Sequence, residues 1–139
     1  MWTCSSCNQE FKHTNQMHYC GDKTISDFFI GKNDSIIQLF NHLINKFQEI
    51  GIVKPHATKS MIALVADKRF AYIIKIGKVF IDVVFPFKTP FENNLCFRKI
   101  AAVPGSNDYN HHLRLYLPED VNEEVMEYMK KAYANGKNL

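Results

Sequence analysis

Three β-branched and aromatic runs, joined by turns too short to hold a helix, constrain this chain more than any other feature. They cover residues 61–66, 70–76 and 79–87. Asp67, Lys68 and Arg69 separate the first two, and Gly77 with Lys78 separates the second from the third. Runs of this length and residue type read as strands. Connections of two or three residues force neighbouring strands to run antiparallel, so the centre of the chain is predicted to be a meander. Ile52, Val53 and Lys54 form a shorter strand that should end before Pro55, and Pro86 and Pro90 should stop the third long run. A further strand, about 96–103, precedes the turn signal Pro104-Gly105-Ser106-Asn107-Asp108, and residues 111–117 pair back on it. The expectation is an antiparallel sheet of about five strands.

Alternation assigns faces to these strands. Phe70, Tyr72, Ile74 and Ile76 share one side, as do Val79, Ile81, Val83 and Phe85. Leu113, Leu115 and Leu117 oppose His112, Arg114 and Tyr116. The apolar rows should pack under helices. The other rows, with Ala71, Ile73, Lys75, Phe80, Asp82 and Val84, are mixed, which suits a shallow groove, a dimer interface or a seat for the N-terminus.

Two helices supply the cover. Ile36, Ile37, Phe40, Leu43, Ile44, Phe47 and Ile50 recur at helical spacing over residues 35–50, with Asp34 as cap, Gly51 as stop and Gln48 among the solvent-facing residues. Val121, Val125, Tyr128, Met129, Ala132 and Tyr133 form a second stripe, which Asp120 and Glu123 should cap as a box. Before the first helix, Thr24 and Asp27 resemble a capping box for one or two turns that dock Phe28 and Phe29 on the body. The fold class is therefore α+β, the sheet packed on one face by an N-terminal and a C-terminal helix.

The first 21 residues carry different chemistry. Cys4, Cys7 and Cys20, with His13 and His18 between them, supply the thiolate and imidazole donors of a tetrahedral zinc site. Cys4-x2-Cys7 can face both sulfurs to one point. Ten residues separate Cys7 from His18 and five separate it from His13. A zinc finger leaves about twelve between its halves, and His18-x-Cys20 projects both side chains to one side of an extended segment. The spacing favours a structural Cys3His site, Cys4, Cys7, His18 and Cys20, over a Cys2His2 set with His13. Residues 1–21 are thus expected to form a zinc knuckle and residues 22–139 an α+β domain. Zinc folds a segment too small and polar to build its own core. The Cys-x-x-Cys pair without a secretory signal points to a reducing, cytoplasmic setting. No apolar run approaches eighteen residues, which argues against a membrane span. Cys96, in a strand, reads as a buried thiol.

The net charge of +3 is unevenly spread: −1 over residues 1–51, +6 over 52–117 and −2 over 118–139. Basic residues in the middle segment can attract an anion, although Lys on sheet edges also serves solubility.

The pattern Trp2-x-Cys4-x-x-Cys7, Phe11, Asn15-Gln16-x-His18-x-Cys20 resembles the N-terminal finger of an uncharacterised prokaryotic family, a domain of unknown function in bacteria or archaea. The resemblance continues through Asp27-Phe28-Phe29, Thr58-Lys59, Phe70-Ala71, His112-x-Arg114 and Ala132-Tyr133. Family members also end longer chains labelled predicted transport proteins, or sit near restriction-type nuclease domains. Ser5 and Asn8 stand where the family commonly has Pro and Gly.

Three functions compete. One is a protein-interaction domain, homo-oligomerisation included. The second is binding of single-stranded nucleic acid or a small anion through the basic sheet face, with Lys59, Arg98, His112 and Arg114 as the ligand-binding candidates within a segment that also holds Arg69, Lys75, Lys78 and Lys99, interleaved with Phe70, Tyr72, Phe80 and Tyr116, several of which periodicity places on the buried face. The third is an enzyme, which would need His111, His112, Lys59 and Arg98 to converge. No Gly-rich phosphate loop or nucleophile elbow supports it, and Asp82 stands alone among apolar residues.

Overall fold

The computed structural model describes residues 2–3, 10–11 and 24–137. Cys4, Cys7, His13, His18 and Cys20 lie outside the described residues. Trp2–Thr3 (β1) and Glu10–Phe11 (β2) pair antiparallel. The main sheet contains β3 (Lys54–Ala57), β4 (Ile62–Val65), β5 (Arg69–Ile76), β6 (Ile81–Phe87), β7 (Phe97–Ala102) and β8 (Tyr109–Leu115). Their order is β3-β4-β5-β6-β8-β7, antiparallel throughout. Two helices, α1 (Asp34–Ile50) and α2 (Glu123–Gly136), complete an α+β fold.

The meander stands as expected, but the sheet has six strands rather than about five. Pro55 does not end the first short strand; it lies inside β3, opposite Leu64. Because β3 is an edge strand, a residue without an N–H disturbs no second partner. Pro86 likewise sits within β6, paired with Asn110, beyond Val84, the last β6 residue paired with β5. Only β8 flanks the strand there.

Gly51 caps the end of α1 as expected, while the N-caps of α1 and α2 are each shifted from the expected residue. Asn33, not Asp34, caps α1, its side-chain oxygen accepting from the Ile36 N–H at 3.0 Å. Asn122 caps α2 through the Val125 N–H at 2.9 Å. Asp120 instead accepts from the Tyr116 and Leu117 N–H groups at 2.8 and 3.0 Å, closing the 3₁₀ turn Pro118–Asp120. The Thr24–Asp27 box is present: Thr24 N–H donates to the Asp27 carboxylate at 2.8 Å, and Asp27 N–H to the Thr24 hydroxyl at 3.3 Å. It opens the 3₁₀ helix Ser26–Phe29, and Phe29 packs on Phe40 with centroids 4.8 Å apart. Gln48 does more than face solvent. Its amide closes the turn after α1, donating to the Val53 carbonyl at 2.6 Å and accepting from its N–H at 3.2 Å.

The core lies between the helices and one sheet face. Ile36, Leu39, Phe40, Leu43 and Phe47 of α1 and Val125, Met129 and Ala132 of α2 are buried in one cluster with Ile62, Leu64, Val83, Phe85 and Leu115. In β5 the predicted phase fails at Tyr72 and Ile74. Ala71 and Ile73 face the core opposite Leu64 and Ile62, Tyr72 takes the other face, and Ile74 is 39% exposed. The register slips between Leu64 and Val65 and again between Ile73 and Lys75. Each β-bulge adds one residue and reverses the alternation beyond it, which returns Phe70 and Ile76 to the core side. Gly136 meets Phe70 so closely that a Cβ would lie 2.7 Å from the ring. The Gly136 carbonyl accepts from the Asp67 and Lys68 N–H groups at 2.8 and 3.0 Å, tying the end of α2 to the β4–β5 turn. No helix among the described residues is long and apolar enough to cross a membrane.

Candidate binding face

Both helices lie on the core side, so no described helix covers the second face of the sheet. Four strands bring charged residues together there. Asp82 on β6 is paired across the ladder with Lys75 on β5 and Arg114 on β8. The Arg114 guanidinium grips its carboxylate in a fork, Nε to Oδ1 at 2.7 Å and Nη2 to Oδ2 at 2.9 Å. Arg98 approaches Oδ1 more loosely, at 3.9 Å. The hydrogen bonds from Arg114 hold the Asp82 carboxyl below the usual carboxylate range, against a smaller opposing effect of burial, so it is anionic at neutral pH.

Aromatic rings flank this row. The Arg114 guanidinium lies 3.9 Å from the Phe80 ring centroid and the Lys75 ammonium 5.6 Å from it. Phe80 in turn lies 6.2 Å from Tyr116, which is 52% exposed. On the other side of the row, Tyr72, Val84, His112 and Lys99 stand in register across β5, β6, β8 and β7. Burial lowers the His112 pKa and the neighbouring Lys99 lowers it further, so the ring is neutral at pH 7. A bulge between Phe97 and Lys99 lets Arg98 and Lys99 share this face. Three cations, Lys75, Arg98 and Arg114, thus surround one carboxylate, and Lys99 stands beside His112 in the next row.

A family model described as a domain of unknown function, DUF5655, matches residues 25–136. The chain belongs to the DUF5655 family. The matched span holds both helices and all six strands of the main sheet, and begins after the cysteine-rich stretch. No curated protein and no solved structure matches the chain.

The DUF5655 domain gathers some of the sequence candidates and disperses others. Arg98, His112 and Arg114 meet on one face. Lys59 does not join them: it is exposed in the β3–β4 turn, where Thr58 Oγ1 donates to the Met61 carbonyl at 3.0 Å. Three strand spacings, about 14 Å, separate β4 from β8. His111 leaves the cluster altogether, because its neighbour His112 faces the other way. It is fully buried, accepting from the Phe91 N–H at its Nε2 (3.0 Å) and donating from Nδ1 to the Tyr109 carbonyl (2.8 Å). Convergence of His111, His112, Lys59 and Arg98 is therefore overturned. Asp82, read as isolated, is the hub of the face. Its partner lies 32 residues away on a strand whose place beside β6 no local pattern marks.

Cys96 precedes β7 and is half-buried. Desolvation first, then the Glu124 carboxylate, pushes its thiol up to about 12, which leaves it protonated and unreactive. Among the described residues, no group of three or more His, Cys, Asp or Glu side chains is placed to hold a metal ion.

Proposed function

We propose that this DUF5655 domain is a binding module that takes an anionic partner on the sheet face opposite α1 and α2. The observation that carries this reading is the excess of cations there among the described residues: Lys75, Arg98 and Arg114 beside Asp82, and Lys99 beside His112, with Arg98 52% exposed at its side chain. Charge of one sign on a broad face raises the local concentration of an anion and speeds its encounter. Because Arg114 neutralises Asp82, the carboxylate does little to repel the partner. The full chain is expected to be retained on immobilised heparin at low salt and released as salt rises. The double variant Lys75→Glu, Arg98→Glu should elute early; unchanged retention would place anion binding elsewhere on the chain.

The N-terminal segment is read as a structural zinc knuckle held by Cys4, Cys7, His18 and Cys20. The support is its donor chemistry: three thiolates and one imidazole complete a tetrahedron and leave no position for substrate. Reduced thiolate ligands suit a cytoplasmic setting. Protein prepared without chelator should carry stoichiometric zinc, and Cys4→Ser or Cys20→Ser should lower its content. Zinc content that ignores both substitutions would refute the ligand set.

A further inference from the structure

We infer that the partner of this face is single-stranded nucleic acid, an inference that rests on the anion-binding reading above. The face is more than positive. Its charged row, Lys75–Asp82–Arg114 with Arg98 alongside, runs across four strands, a width of about 14 Å. Phe80 and Tyr116 border the row at one end of the strands, and Tyr72 borders it on the other side. A strip of cations between aromatic rings suits a ligand that alternates phosphates with flat, apolar-faced bases. An acidic peptide supplies the charge, but its carboxylate side chains have no apolar face to lay on Tyr116. A duplex supplies the phosphates but hides the faces of its bases inside the stack. The cluster also separates two roles. Asp82 and Phe80 hold the Arg114 guanidinium from both sides, by a two-point ion pair and by ring contact at 3.9 Å. Arg114 therefore stiffens the platform, while Lys75, Arg98 and Lys99 are placed to meet phosphates and Tyr116 to stack on a base.

The test is fluorescence anisotropy of the full chain with a labelled single strand of about twelve nucleotides, a length within the usual range of such sites. Neutralising three phosphates should give a slope of log affinity against log salt of about −2. Lys75→Ala and Arg98→Ala should each flatten that slope by about 0.7. Tyr116→Ala should weaken binding roughly tenfold without changing the slope, which a purely electrostatic contact would not do. All three positions are exposed or half-exposed, and Lys99→Ala replaces any variant that melts early. Retention on heparin without affinity for the single strand would overturn the inference while leaving the anion-binding reading intact. So would equal affinity for a duplex of the same sequence together with no effect of Tyr116→Ala. Failure to bind either probe would remove both.

Discussion

The Phe47→Ala variant is expected to unfold with a free energy about 4 kcal/mol below that of the parent chain. Phe47 is fully buried near the end of α1. Its ring meets Phe70 edge-on at 5.5 Å and Phe85 at 6.3 Å, so one side chain joins the helix to β5 and β6. The loss combines apolar transfer with a cavity that the neighbours cannot fill. Phe70 is wedged against Gly136 and Tyr133, and Phe85 against Phe87 and Phe97. Urea titration followed by circular dichroism should show a lower midpoint at unchanged slope, with a fall in Tm of about 12 °C. A loss below about 1.5 kcal/mol would mean that the core at this junction collapses freely, contrary to the packing described here.

The second large effect concerns His111 and is pH-dependent. Its two ring nitrogens are committed to one accepted and one donated hydrogen bond, which fixes the neutral form with the proton on Nδ1. A second proton would turn Nε2 into a donor facing the Phe91 N–H, inside a box formed by Phe87, Phe91 and Phe97. Burial lowers its pKa from the ordinary value, outweighing the backbone hydrogen bonds that act the other way. The unfolded chain therefore takes up this proton first as pH falls. Stability is fully present above the unfolded value, about 6.5, and is lost from there down to the depressed folded value. Each such histidine contributes a slope of up to about 1.4 kcal/mol per pH unit within that window. His112 shifts in the same direction. Unfolding free energies at pH 7.5, 6.5 and 5.5 should be level over the first interval and fall over the second. In His111→Gln the fall should be shallower. An identical pH profile in that variant would show that His111 is not the group responsible. Truncation to alanine at this position is expected to cost about 3 kcal/mol at pH 7.5, because it strands the Phe91 N–H and the Tyr109 carbonyl.

The candidate site was legible as a list of residues and illegible as an arrangement. His112 and Arg114 are recognisable as basic groups opposite an apolar row, and Leu113 and Leu115 of that row are buried, whereas Leu117 is exposed. Nothing in the sequence told that β8 inserts between β6 and β7, and this insertion alone sets Arg114 beside Asp82. Lys59 looked equivalent to the others because strand order, not sequence distance, measures separation across a sheet.

What the sequence by itself determined are the features whose causes are local. Turn residues enforced the antiparallel meander, helical spacing marked most of the buried stripe of each helix but missed Leu39 of α1, and the short polar side chains of Thr24 and Asp27 closed the turn they begin. The zinc reading of Cys4, Cys7, His18 and Cys20 is a proposal from donor chemistry and spacing; those positions lie outside the described residues. Only the tertiary structure decided the phase of β5 and the hub at Asp82. The reason is common to both. A bulge of one residue reverses every side chain beyond it, and whether a strand acquires one depends on the register of its neighbours. An ion pair between strands 32 residues apart depends on which strands become adjacent. Both are properties of long-range pairing, which the local pattern of a chain does not carry.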